Sequence, residues 1–408
     1  MVDKNYLNHT GDATLLRKVN ESAILELIRE QGPISRSDLA RLLHLSPPTI
    51  TRIVNPLIED GLVLEGDAGD SKGGRRPILL TFNHQASLIV GVYLSQNMTG
   101  ALANLNGEIL ERRTRPSIPG EEGVQRLIEL IQELCRASDR FGSPVRGVGV
   151  GVPSVTLAEE GIVTWAPSFG WRNLPLKRRL EEALGLSVFI ENEVNLIALG
   201  ESWRGAGQGG RNLICISLGD GIGAGLVLNG QLYRGSHHAA GEVGYIIPNE
   251  HCLGYKYDDY GCLEGLAGST GIIQRARHGL EAGQSSILSQ PWRTDPTSLT
   301  AQMILTAARE GDALATAVLQ ETINYLSIAV ANIACIIDPD RIIISGDLAE
   351  FGDLFVEPIR ACLEGLIPVV PEIGLSDLGM DAPVLGAVAT ALRQTSDWLF
   401  IRHQRVIS

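Results

Sequence analysis

Residues 100–110 read GALANLNGEIL and residues 223–233 read GAGLVLNGQLY. Gly100, Ala101, Leu105, Asn106 and Gly107 thus recur as Gly223, Ala224, Leu228, Asn229 and Gly230, all displaced by 123 positions. Each copy follows an apolar strand pattern, residues 88–93 in one case and 213–218 in the other, and each places Asn-Gly where a tight hairpin turn needs it. Two β-meanders a fixed distance apart, each followed by alternating helix and strand patterns, predict two similar α/β lobes. A ligand of such a protein belongs in the cleft between them.

With 408 residues the chain is too long for one ordinary core, and its first 84 residues lie ahead of the duplication. Three helical patterns fill residues 20–61. The first, about residues 20–30, carries Ile24, Leu25, Leu27 and Ile28 and ends at Gly32-Pro33. In the second, Ser35 supplies a cap, Asp38 complements the helix dipole, and Leu39, Leu42 and Leu43 face inward. In the third, Ser46 is the cap and Pro47 the first residue; Ile50, Ile53, Val54, Leu57 and Ile58 share one face, and Pro56 predicts a kink near the end. Two short helices joined by a tight turn make a helix-turn-helix, whose second helix offers Thr49, Thr51 and Arg52 to DNA. Residues 62–65 and 76–81 then read as two short strands around a glycine-rich turn. They form a wing whose basic tip would carry Arg75 and Arg76 into a minor groove.

Charge gives this no support. Residues 1–85 hold ten basic and eleven acidic side chains, and the whole chain has a formal charge of −13, so any nucleic acid must meet a local basic patch. The ordered helix–helix–helix–wing succession carries the DNA-binding reading; a small helical domain serving only dimer contacts is the alternative. No apolar run has the length of a membrane span, residues 1–10 are too polar for a secretion signal, and the six scattered cysteines lack a Cys-x-x-Cys pair. A cytoplasmic protein with reduced thiols and no membrane partner is the expectation.

Further landmarks are Gly149-Val150-Gly151-Val152-Pro153, Glu191-Asn192-Glu193-Val194-Asn195, Leu218-Gly219-Asp220-Gly221-Ile222-Gly223, Gly241-Glu242-Val243-Gly244-Tyr245 and Ile337-Asp338-Pro339. In their order and spacing, together with the Gly-Gly-Arg-Arg-Pro wing, the chain resembles the ROK family (repressors, open reading frames, kinases). Within it the resemblance is to the repressor branch of xylose type. It implies an N-terminal winged helix-turn-helix over residues 1–84, standing as a separate unit. Residues 85–408 would then form a two-lobed actin-like/hexokinase-like (ribonuclease H-like) domain. Lobe 1 would take about residues 85–205 and 385–408, and lobe 2 residues 206–384.

The departures from the family pattern bear on function. Family kinases have Asp-x-Gly-Gly-Thr after the first strand, where the acid serves the nucleotide–metal complex. The matching stretch here is Tyr93-Leu94-Ser95-Gln96-Asn97. The family's Leu-Gly-Thr-Gly becomes Leu218-Gly219-Asp220-Gly221, which sets a carboxylate beside any phosphate. The catalytic Asp that follows Asn is Glu193, whose extra methylene displaces the carboxylate. No catalytic residue and no ATP are therefore expected. Nor is zinc: the family's His and first two Cys match Tyr245, Tyr255 and Tyr257, leaving Cys262. A substitute site on His251, Cys252 and Cys262 stands against an aromatic cluster of the three tyrosines in the same volume.

The resemblance carries sugar contacts onto Asn192, Glu193, Glu242, Tyr245 and Glu264. Carboxylates and amides converging in a cleft are what a polyol needs, although Glu242 and Glu264 could instead cap helices or bind buried amides. The expected protein is a sugar-responsive repressor of carbohydrate-utilisation genes, acting on operator DNA as a homodimer or homotetramer with a monosaccharide effector. The alternative is an ATP-dependent sugar kinase that also binds DNA.

Overall fold

The computed structural model describes residues 13–68, 77–254 and 261–395. The chain begins with α1 (Ala13–Gln31), β1 (Ile34–Ser35), α2 (Arg36–Leu43), α3 (Pro47–Glu59), β2 (Val63–Ala68) and β3 (Ile78–Phe82). These strands form one sheet in the order β1-β3-β2. This is the expected winged helix, with two differences. The first helix starts seven residues earlier than the expected residue 20, and β1 is a two-residue strand that pairs Ile34 with Leu80. Pro56 sits inside α3 without ending it: only its own amide bond is lost, and the helix runs on to Glu59.

The first lobe contains β4 (Leu88–Leu94), β5 (Asn97–Asn104), β6 (Ile109–Pro116), α4 (Gly120–Ala137) and β7 (Val145–Val152). A small antiparallel sheet of β8 (Val155–Leu157), β9 (Ile162–Ala166) and β10 (Trp171–Leu174) follows, then α5 (Leu176–Leu184), β11 (Ser187–Asn192) and α6 (Glu193–Arg204). The second lobe opens with β12 (Leu213–Leu218), β13 (Ile222–Leu228) and β14 (Gln231–Leu232). Helices α7 (Cys262–Ala267), α8 (Ser269–Glu281), α9 (Ser289–Thr294), α10 (Ala301–Arg309) and α11 (Ala313–Ile337) come next. The chain closes with β15 (Arg341–Ser345), α12 (Val356–Leu363), β16 (Glu372–Leu375) and α13 (Ala382–Thr395).

The two large sheets have the same plan. One is ordered β11-β7-β4-β5-β6 and the other β16-β15-β12-β13-β14 when read in the same direction. In both, the first hairpin is antiparallel and the next two strands add in parallel. The repeated Asn-Gly pairs make the predicted turns. Asn229 and Gly230 both have positive φ (54° and 77°), as a two-residue hairpin requires, whereas in the first copy only Gly107 does. Helix α11 has the length and hydropathy of a membrane span, contrary to the expectation that no stretch does. It is a core helix of lobe 2, with Val318, Ile323, Leu326 and Val330 buried.

Helices α6 and α13 cross between the lobes. Helix α13 lies on β4 and β7, whereas α6 lies on β12 and β13 of the other sheet, so their mutual contact joins the two halves. Glycine makes that contact possible: a Cβ on Gly386 would stand 1.9 Å from the Leu196 carbonyl oxygen, and one on Gly200 would stand 2.2 Å from that of Ala382.

The winged helix shares a core with lobe 1. Its core residues Ile24, Leu25, Ile50, Val54, Leu57 and Leu80 form one cluster with Ile89, Ala103 and Leu105 of lobe 1 and Val388, Ala391 and Leu392 of α13. Trp203, at the end of α6, packs against the same cluster. The winged-helix core and the lobe-1 sheet each leave an apolar face that the other covers.

Candidate functional site

The helix expected to face DNA is α3. Its cap is built as the sequence predicts: Ser46 Oγ accepts from the Thr49 amide at 3.3 Å and lies 2.8 Å from Thr49 Oγ1. The Thr49 hydroxyl is thus engaged in the cap, and Thr51 Oγ1 donates to the Pro47 carbonyl at 3.1 Å. Thr51 and Arg52 are exposed on the face opposite buried Ile50, Ile53 and Val54. Arg75 and Arg76, at the expected wing tip, lie outside the described residues.

Between the lobes is a cleft of about 1090 Å³. On the lobe-1 side, Asn192 ends β11 and caps α6, its Oδ1 accepting from the amides of Val194 (2.9 Å) and Asn195 (3.4 Å). Its Nδ2 donates to the Ser154 carbonyl at 2.9 Å, so most of the amide's capacity holds the wall of the cleft. Glu193 is the first residue of α6, and Tyr93 Oη donates to its Oε2 at 3.1 Å. Burial drives the Glu193 pKa up to about 7, with the negative charge of Asp347 adding to the rise and the tyrosine hydrogen bond opposing it. Two separate departures from the kinase pattern therefore form one contact. Both residues stand at positions where the sequence resemblance expects a kinase acid and a kinase base.

Beneath them is an element that sequence reasoning missed. Glu191 is buried, and its Oε2 accepts from Arg234 Nε (2.9 Å) and Nη2 (2.6 Å), tying β11 to the segment after β14. Its Oε1 accepts from the Asn192 amide at 3.0 Å and from Asn195 Nδ2 at 2.9 Å. The buried carboxylate is thereby fully engaged. Its partner is 43 residues away, and no local pattern announces such a pair.

On the lobe-2 side, Glu242 opens on the cleft, where partial desolvation raises its pKa. Glu264, on α7, spends Oε2 on the Ile222 amide at 3.0 Å. Its pKa is raised by burial and by the charge of Glu242, against the lowering effect of that amide. Glu264 thus has the amide-binding role weighed in the sequence and also lines the cleft. Tyr245 does not reach the cleft: it is 61% exposed. A Cβ on Gly261, just ahead of α7, would stand 2.1 Å from the Gly244 carbonyl oxygen, and one on Gly244 would stand 3.1 Å from Glu264 Oε2, so the inner side of this turn has no spare room. Tyr255 and Tyr257 lie outside the described residues, which leaves Tyr245 alone of the expected aromatic cluster. Of the substitute zinc ligands, Cys252 is buried with its thiol donating to Asn249 Oδ1 at 3.3 Å, whereas His251 is exposed. Among the described residues no three His, Cys, Asp or Glu side chains are placed to hold a metal.

Asp347 has Asp220, in the β12–β13 turn, and Glu350 for neighbours; burial first and then these two charges raise its pKa. Among the described residues the cleft is lined by Glu191, Glu193, Asp220, Glu242, Glu264, Asp347 and Glu350, whereas the one Arg among them, Arg234, is already paired with Glu191. Such a surface accepts hydroxyl hydrogens well and opposes phosphate, since each unit charge at close range costs about 1 kcal/mol in water and several kcal/mol in a shielded cleft.

The ROK family model matches residues 93–394, and a winged helix-turn-helix DNA-binding model matches residues 19–63. A xylose repressor from Caldicellulosiruptor bescii is 31% identical over 390 residues, which is 94% of this chain and 97% of that protein. A glucokinase from Halalkalibacterium halodurans is 34% identical over 289 residues, 69% of this chain and 87% of the kinase. Among solved structures, a ROK family transcriptional regulator described as a homolog of the E. coli MLC protein superposes with a TM-score of 0.82 at 28% identity, covering 94% of this chain and 98% of the other.

Proposed function

The chain belongs to the ROK family, and from that membership and the cleft geometry we propose that it is a sugar-responsive DNA-binding transcriptional repressor whose kinase-like domain binds its effector without phosphorylating it. The observation that carries this reading is the joining of the two parts. A winged helix with Thr51 and Arg52 exposed on its third helix shares one core with a lobe of the sugar-type cleft. A saccharide would lie among Glu193, Glu242 and Glu264, its hydroxyls donating to carboxylates from both lobes. Closure of the lobes on it would shift α6 against α13, the two helices on which the winged helix rests. Such a ligand moves the DNA equilibrium only by its differential affinity for the two arrangements, an effect of about 1–3 kcal/mol. Two copies of the chain, as a homodimer or within a homotetramer, would present two recognition helices to an operator in the cytoplasm, and the ligand would alter their spacing.

Neither ATP nor zinc is part of this reading. The Tyr93–Glu193 contact and the Asp220–Asp347–Glu350 group oppose a nucleotide, and the donors at the family's zinc position are largely replaced. The similarity to a glucokinase favours the second reading, an ATP-dependent sugar kinase with an added DNA-binding domain. A coupled ADP-release assay over the same sugars separates the two: turnover near ~1 s⁻¹, within the ordinary enzyme range, establishes the kinase. The test of the repressor is a DNA-binding titration with and without xylose, glucose or N-acetylglucosamine, on wild type and on Glu242→Ala. The variant should keep DNA binding and lose the sugar response. A response retained at the same sugar concentration places the effector elsewhere.

A further inference from the structure

Trp171 has a structural explanation: it is buried, stacks on Phe169 with centroids 4.9 Å apart, and its indole N–H donates to the Gly120 carbonyl at 3.0 Å. Trp165 has none of this. It lines the cleft and is 50% exposed. It stands on β9, the central strand of the small lobe-1 sheet, paired with Val155 of β8 on one side and Arg172 of β10 on the other. Val155 directly follows Ser154, whose carbonyl holds the Asn192 amide. The indole therefore lies beside the polar wall of the cleft. The Arg172 guanidinium sits 5.4 Å from the ring centroid, a cation–π contact that fixes the plane of the indole in advance of any ligand.

A closed sugar ring has two kinds of surface. Its hydroxyls point outward around the rim and suit the carboxylates of this cleft; its C–H bonds make a flat apolar face that no carboxylate satisfies. An indole face is apolar, rigid and electron-rich, and so complements weakly positive C–H hydrogens at little entropic cost. An open-chain polyol offers the same hydroxyls but no rigid face.

We propose that Trp165 is the platform on which the bound saccharide lays its C–H face, and that it makes the cleft selective for pyranose rings over open-chain polyols. This rests on the reading of the cleft as a sugar-effector site. The indole is half in solvent, so its replacement should leave the melting temperature of the apoprotein unchanged.

The test is isothermal titration of the full-length protein with D-xylose, D-glucose and N-acetylglucosamine, and with xylitol and sorbitol, on wild type, Trp165→Phe and Trp165→Leu. Wild type should prefer the ring to its polyol. Trp165→Leu should lose about tenfold in ring affinity, the size of one aromatic contact, with little change for the polyol. Trp165→Phe should keep most of the preference. Ring affinity equal to wild type in Trp165→Leu overturns the proposal, and so does an equal loss for ring and polyol, which would mark general damage to the cleft. If no saccharide binds wild type, the effector reading itself falls, and this proposal falls with it.

Discussion

The crossing of α6 and α13 leaves Gly386 no room for a single added methyl group. Built on the existing backbone, the alanine Cβ would lie 1.9 Å from the Leu196 carbonyl oxygen, 2.5 Å from its carbon and 2.8 Å from its Cα. All three are main-chain atoms, so no side-chain rotation relieves the contact, and the helices must part by about 1 Å to reach the closest separations seen between real atoms. Overpacking of this kind costs about 1–3 kcal/mol when the surroundings adjust and more when they do not. Here they cannot adjust locally, because α13 is seated on β4 and β7 while α6 is seated on β12 and β13. Gly374→Ala is the matched control: it adds the same methyl to β16 with nothing within 4 Å, and its φ is not in the left-handed region. Urea unfolding followed by circular dichroism should show Gly386→Ala with a clearly lower midpoint, and Gly374→Ala at or slightly above wild type. The DNA response to sugar should also weaken in Gly386→Ala, since lobe closure and the winged-helix seat share this contact. Equal midpoints for the two variants would refute the argument that backbone contact between these helices joins the lobes.

Arg52→Ala should abolish or strongly weaken operator binding in a gel shift while leaving the heat of sugar binding unchanged, because Arg52 is exposed on α3 and far in sequence from the cleft residues. Glu193 gives a pH prediction. Its folded-state pKa is raised from 4.5 to about 7, so the folded protein binds that proton more tightly than the unfolded chain, and stability is lost as pH rises from about 4.5 to about 7. The melting-temperature advantage of Glu193→Gln over wild type should therefore grow across that window and level off above it; a flat difference would show that Glu193 is not buried as described. Glu264→Ala should lower the melting temperature more than Glu242→Ala, since Glu264 alone holds a backbone amide, that of Ile222. Trp203→Ala should leave sugar binding intact and shrink the ratio of DNA affinities measured with and without sugar; an unchanged ratio would remove α6 from the coupling.

What was legible in the sequence was local or repeated. Ser35 and Ser46 announce helix starts because a cap and the amide it serves are three residues apart, and both caps form as read. The displaced copies announce two sheets of one plan, because a meander is written continuously in the chain. What stayed hidden depends on partners distant in sequence. Glu191 meets Arg234 across 43 positions, and Tyr93 meets Glu193 across 100. Strand β1 exists only because Leu80 is beside it. The resemblance placed Tyr245 in the cleft by alignment with a histidine, but the turn's inner side is occupied by Gly261 and Glu264, and a larger side chain is left in solvent. The core that the winged helix shares with lobe 1 stayed hidden for a related reason. Apolar residues such as Ile89 and Ala103 read as interior to a strand of lobe 1, and nothing in their pattern says that a second domain covers them.

Helix α6 joins the cleft to the winged-helix core. Its first residue is Glu193, where the kinase pattern has its base, and its last turn carries Trp203, packed on the winged-helix core, and Arg204, bonded to Asn106 in the β5–β6 turn. Twelve residues of helix span about 18 Å, and a helix transmits displacement along its axis with little internal give. In a kinase, a group at the start of such a helix has only to be positioned for proton transfer. In this protein Tyr93 donates to the same group, which in the proposed repressor would contact the effector. In the proposed repressor, a saccharide hydrogen-bonded to Glu193 and the lobe-2 carboxylates together would act on both ends of the arrangement, setting the lobe separation at one end of α6 and the winged-helix seat at the other.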